Sequence, residues 1–106
     1  MIDAKQFIKN LKKLDINFFS GVPDSLMSEF SKSLHFDFKD ENHIISTNEG
    51  SALGICMGYN LATGKVPLIY MQNSGLGNFI NPYASLLHKN IYDIPFILLI
   101  GWRGEP

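Results

Sequence analysis

The sequence predicts an α/β fold, a three-layer sandwich around a mainly parallel sheet, on three observations. Its strand-like segments, "INFFSGV", "HIIS", "VPLIYM" and "PFILLIG", are continuous apolar runs rather than alternating ones, the mark of strands covered on both faces. Segments with helical spacing alternate with these runs, as in parallel α/β sheets. Each run is followed by a loop rich in glycine and polar groups, and the carboxyl ends of parallel strands are where such folds place their sites.

The elements follow in order. Ile2 to Leu14 reads as a helix, with Ile2, Phe7, Ile8, Leu11 and Leu14 on one side and Lys5, Lys9, Lys12 and Lys13 as its wet face. "INFFSGV" is a short buried strand stopped by Gly21 and Pro23. Asp24 is suited to cap the next helix, whose apolar face is Leu26, Met27, Phe30 and Leu34. Polar "FDFKDEN" leads into the strand "HIIS". A helix then runs to about Thr63, with Thr47 or Asn48 as N-cap and Gly64 as C-terminal stop. "VPLIYM" is the third strand and "PFILLIG" the fourth, joined by the loop and helix of "QNSGLGNFINPYASLLHKN". The final strand has no following element to cover it, so the sheet is expected to be incomplete at its C-terminal edge. A fragment, or a chain that relies on a partner, would produce that pattern.

At 106 residues the chain is predicted to form one domain, residues 1–106. Its 45% apolar and 18% charged residues are those of a globular protein rather than a disordered one. Nine Lys and Arg against ten Asp and Glu give a net charge of -1, which argues against nucleic acid as a partner. No apolar run approaches the ~20 residues needed to cross a bilayer, so no membrane partner is expected. The single cysteine, Cys56, has no internal disulfide partner, and His35, His43 and His88 lack zinc-ligand spacing. No metal-ligating residue is predicted, and a cytoplasmic location is expected.

Four loops hold the candidate chemistry. In "STNEGS", Glu49 falls in a first helical turn, where free N–H groups and the macrodipole stabilise a carboxylate. Its neighbours Ile44, Ile45, Ala52, Leu53 and Ile55 suggest scarce water, a setting that suits an acid handling a proton. Gly50, Gly54 and Gly58 form a bare stripe on the same helix, explained either by tight packing within the domain or by a subunit interface. In "QNSGLGN", Ser74, Gly75 and Gly77 permit close backbone approach, and Gln72, Asn73 and Asn78 offer donors and acceptors. It lacks the GK[ST] ending of a phosphate-binding P-loop and the third glycine of a dinucleotide fingerprint. "GVPDS" offers Asp24 and Ser25, and "GWRGE" places Trp102 and Arg103 on the presumed rim, where a guanidinium could meet an anion.

In this order, "SGVPDS", "NEGSALGICMGYNLATGK", "QNSGLGN" and "IPFILLIGWRGEP" resemble the pyrimidine-binding (PYR) domain of thiamine diphosphate (ThDP) enzymes. The resemblance is strongest to the phosphonopyruvate decarboxylases, with the sulfopyruvate decarboxylase α subunits close by, and spans about Ile16 to Pro106. It implies ThDP-dependent conversion of phosphonopyruvate to phosphonoacetaldehyde and CO₂, a step of phosphonate biosynthesis. It also implies catalytic roles for Glu49, which would hydrogen-bond N1′ of the cofactor's aminopyrimidine, and for Asp24, which would assist proton transfers near the substrate. Glu49, Asn73, Gly75 and Leu76 would contact the cofactor. Asp24, Asn73 and Ser74 would lie near the substrate, with Arg103, chosen on charge, as a ligand for its second anion.

The family's diphosphate-binding domain, which holds the diphosphate through Mg²⁺ with a GDG…N motif, has no counterpart here. It is expected on the same full-length chain or a separate subunit, in a homo-oligomer of two or more copies, so the 106 residues alone are expected to be inactive. The alternatives are an α subunit of sulfopyruvate decarboxylase and a non-catalytic α/β interaction module on the same scaffold.

Overall fold

The computed structural model describes residues 2–104, so Glu105 and Pro106 of the "GWRGEP" motif lie outside the described residues. The elements are α1 (Ala4–Lys13), β1 (Phe19–Gly21), α2 (Ser28–Asp37), β2 (His43–Ile45), α3 (Glu49–Thr63), β3 (Leu68–Gln72), α4 (Leu76–Pro82) and β4 (Ile97–Gly101). Single 3-10 turns precede α2 and α4, and a π-helical turn, Tyr83–Leu87, follows α4 directly after Pro82. A proline has no backbone N–H to donate and its ring crowds the preceding turn, which accounts for the change of winding there.

The strands form one parallel sheet in the order β2-β1-β3-β4. Alternation along each strand sends neighbouring side chains to opposite faces. Leu68 and Tyr70 of β3 join Phe19, Ile8, Leu11, Phe30 and Leu34 under α1 and α2. Ile69 and Met71 join Phe18, Ala52, Leu53, Cys56 and Phe79 under α3 and α4. The expected three-layer α/β sandwich is therefore present. β4 lies at the sheet edge, and its residues Ile97 to Ile100 are only half-buried.

The termini of the helices carry the predicted caps in part. Asn48 caps α3, its Oδ1 accepting from Ser51 N–H at 2.9 Å, and Gly64 closes the helix in the left-handed region at φ 72°. Asp24 does not cap α2: its side chain bonds no backbone N–H of the turn that follows it. Helix α1 is shorter at both ends than its apolar pattern, leaving Ile2 74% and Leu14 70% exposed while Ile8 and Leu11 carry the burial. Leu26, expected on the apolar face of the second helix, lies before α2 and is exposed.

The sheet order fixes where a site can form. From β1 the chain runs outward to β2, then crosses back to β3 on the other side of β1. Helix α2 follows β1 on one face, and α4 follows β3 on the other. The carboxyl ends of β1 and β3 thus border a crevice, the place where open parallel sheets bind their ligands.

Candidate active site

The four predicted loops meet two by two at this crevice, one pair around Glu49 and the other around Asp24. Glu49 opens α3 as its first residue and is half-buried. Its Oε2 accepts from Asn78 Nδ2 at 2.9 Å, tying the start of α3 to the first turn of α4. Its other oxygen, Oε1, lies against Gly75, and a Cβ built there would collide with it. Only a residue without a side chain leaves the carboxylate this seat. Among the described residues, no donor is hydrogen-bonded to Oε1. The apolar enclosure expected from its sequence neighbours is looser than predicted, because Ile45 turns outward and is 64% exposed.

Asp24 stands at the end of the β1 loop in the opposite condition. Its side chain is only 5% exposed, and Oδ1 receives Arg103 Nη2 at 3.0 Å. The same nitrogen donates to Ser25 Oγ. Asp24 Oδ2 is buried without a hydrogen-bond partner, and a Cβ at Gly101 would come within 2.9 Å of it. Gly101 therefore admits this carboxylate as Gly75 admits the other.

Asn73 connects the β3 and β4 loops. Its Nδ2 donates to Arg103 O at 2.9 Å, and its Oδ1 accepts from Arg103 N–H at 3.1 Å. Both polar atoms of this side chain are thus engaged by one backbone residue. Ser74 is exposed and its Oγ accepts from Gln72 Nε2, while Leu76 is half-buried against the α3 side of the core.

This acid-bearing crevice of a parallel sheet belongs to a described group of domains. Residues 3–106 match the family described as thiamine pyrophosphate enzyme, N-terminal TPP binding domain. The chain belongs to that family. Thiamine pyrophosphate is ThDP, so the cofactor class expected of the domain is ThDP.

Among curated relatives of this TPP-binding domain, a sulfopyruvate decarboxylase subunit α of Methanocaldococcus jannaschii is 42% identical over 90% of this chain and 54% of its own length. A phosphonopyruvate decarboxylase of Streptomyces hygroscopicus is 34% identical over 100% of this chain and 25% of its own. The chain thus spans about half the length of the first relative and a quarter of the second. These relatives are decarboxylases, and neither substrate is singled out between them. In structure, a benzoylformate decarboxylase from Polynucleobacter necessarius superposes with a TM-score of 0.78 at 25% identity, over 95% of this chain and 18% of its own. A putative thiamin diphosphate-dependent enzyme from Mycobacterium smegmatis gives 0.76 at 26%, over 95% of this chain and 19% of that one.

Within this TPP-binding domain, two site features lay beyond sequence reasoning. Asn78 was visible as a polar residue of the glycine loop, but its contact with Glu49 spans 29 positions. Gly101 read as the end of a strand, and only the folded chain brings it against Asp24. The glycine stripe of α3 divides: Gly50 packs near Asn78 O and Pro82, whereas Gly54 and Gly58 face open space.

Proposed function

We propose that this domain supplies the pyrimidine half of a ThDP-dependent decarboxylase acting on a pyruvate that bears a tetrahedral anion on C3. The observation that carries the reading is the seat of Glu49. One carboxylate oxygen is pinned by Asn78 and the other lies over the bare Cα of Gly75 with no donor from the described residues. Such an oxygen fits the ring nitrogen of an aminopyrimidine that must be hydrogen-bonded and protonated in turn, so the residues present suit the cofactor.

When bound, ThDP supplies the electron sink that decarboxylation of a 2-oxo acid requires. The chain's own residues do the rest. Glu49, held in the first turn of α3, would exchange a proton at the aminopyrimidine nitrogen. Gly75 and Leu76 border the pyrimidine. Asp24 stands ready for proton transfers near the substrate, and Arg103 offers a guanidinium edge to the substrate's second anion. Ser74, exposed in the β3 loop, would add a hydroxyl. A diphosphate-binding domain, on the same full-length chain or a second subunit, would hold Mg²⁺ and complete the site within an oligomer in the cytoplasm.

Phosphonopyruvate is the first reading of the substrate, giving phosphonoacetaldehyde and CO₂. Sulfopyruvate is the second, favoured by the 42% identity to an α subunit named for it. The test is an assay of the complete enzyme with ThDP and Mg²⁺ against both acids. Aldehyde formation from either one is expected, and the preferred acid decides between the readings. Turnover of neither would overturn the proposal.

A further inference from the structure

The β3–β4 ladder ends with Gln72 opposite Gly101, yet the two chains stay joined beyond it. Asn73, the next residue, substitutes its side-chain amide for a peptide group. It gives Nδ2 to Arg103 O at 2.9 Å and takes Arg103 N–H on Oδ1 at 3.1 Å. A primary amide carries a donor and an acceptor side by side, so it can satisfy both backbone groups of one residue as a neighbouring strand would. Aspartate lacks the donor, and alanine or serine cannot span both bonds.

The consequence reaches the guanidinium. With its backbone held from one side, Arg103 extends across to Asp24 and Ser25, where a single nitrogen, Nη2, meets both. Among the described residues, Nε and Nη1 have no hydrogen-bond partner, and the side chain is 45% exposed. The guanidinium is therefore anchored through one nitrogen, with its remaining donors meeting no acceptor among the described residues. A planar fork fixed in this way is organised to receive a tetrahedral anion, because little rotamer freedom is left to lose on binding.

We propose that Asn73 is a positioning residue that sets the place of the Arg103 guanidinium through this two-bond clamp, and so governs affinity for the substrate's second anionic group. The inference rests on the reading of Arg103 as the ligand of that group. It assigns Asn73 to Arg103 rather than to direct contact with cofactor or substrate, since a ligand would have to displace the clamp to reach it.

The test is a double-mutant cycle on the complete enzyme with whichever acid it decarboxylates. Asn73→Ala is expected to raise KM about tenfold with kcat within about twofold, the signature of lost binding rather than lost chemistry. In an Arg103→Ala background the same substitution is expected to leave KM unchanged, because the group it positions is gone. A fall in kcat at constant KM, or an undiminished effect without Arg103, would overturn the proposal. If the alanine variant does not fold, Asn73→Ser takes its place with the same expectations. Should the wild-type enzyme turn over neither acid, the functional reading fails and the clamp is judged by hydrogen exchange at the Arg103 amide. Exchange about tenfold faster in Asn73→Ala would then support the clamp, and unchanged protection would refute it.

Discussion

The two acids of the crevice differ in what neutralises them. Asp24 is almost wholly buried, and its partner is a guanidinium across 79 positions of sequence. Glu49 is half-buried, and its partner is the neutral amide of Asn78. A buried carboxylate paired with a guanidinium is committed to one geometry. A carboxylate held by one neutral amide, with no other donor among the described residues, keeps an oxygen open to an incoming group. Both acids are accommodated by a glycine, Gly101 for one and Gly75 for the other. The same packing device thus admits an ion-paired acid and an acid held by an amide alone.

The sharpest way to break this contrast is to alter the exchanging acid. Glu49→Gln preserves shape and hydrogen bonding but removes the proton-accepting charge, so kcat of the complete enzyme should fall by about 10²–10⁴-fold. Steady-state decarboxylation kinetics check it, and a variant retaining wild-type kcat would remove Glu49 from the chemistry.

Gly75→Ala should come next. The new Cβ would collide with the carboxyl group and Cγ of Glu49, a side chain that has to swing away, rather than with backbone. Folding stability is therefore expected to change by no more than about 1 kcal/mol, while misplacement of the carboxylate lowers kcat by about 10²-fold. Denaturant unfolding and kinetics measured together would separate these effects. A large stability loss would contradict the flexible-seat account.

The committed acid is expected to answer in stability. Arg103→Ala leaves Asp24 buried without a counter-charge, and because the arginine is itself half-exposed the cost should be about 1–2 kcal/mol, less than for a fully buried pair. Equilibrium unfolding in urea reads it directly. No change would mean that Asp24 is solvated in solution.

The smallest effect concerns two groups away from the crevice. Burial pushes the Cys56 thiol up to about 12, against a partly offsetting hydrogen bond from the Ser20 backbone. Burial, and then the nearby Cys56, push the Tyr70 hydroxyl up to about 12. Both ionise more readily in the unfolded chain, which therefore binds fewer protons than the native state in alkali. Their stabilising contribution is complete below about pH 9 and is lost progressively towards pH 12. Unfolding free energy should accordingly decline over that window, and Cys56→Ala should flatten the slope. Below pH 9 the native thiol should resist alkylation. Rapid labelling in the folded state would show that Cys56 is reached by solvent.

These contrasts were only partly legible in the sequence. Continuous apolar runs revealed the parallel sheet because both of its faces are covered, and the order of loops placed all the candidate residues on one rim. Local chemistry was also readable: Asn48 was one of two N-cap candidates, and Gly64 closes α3 as its φ of 72° requires. What stayed hidden depends on residues far apart in the chain. Asp24 had every local feature of a cap, but its side chain turns instead to Arg103, a charge 79 positions away. Asn73 read as a ligand group, and its clamp depends on where β4 ends relative to β3. Apolar periodicity likewise overstated α1, because Ile2 and Leu14 fit the pattern but lie beyond the layer that could cover them.

In the proposed function, Glu49 is the group that exchanges a proton with the bound cofactor. The most direct measurement is hydrogen–deuterium exchange at the thiazolium C2 position of ThDP in the complete enzyme, followed by NMR after rapid acid quench. Fast exchange is expected in the wild type, and exchange slowed by at least about 10²-fold in Glu49→Gln. Equal rates in the two proteins would contradict it.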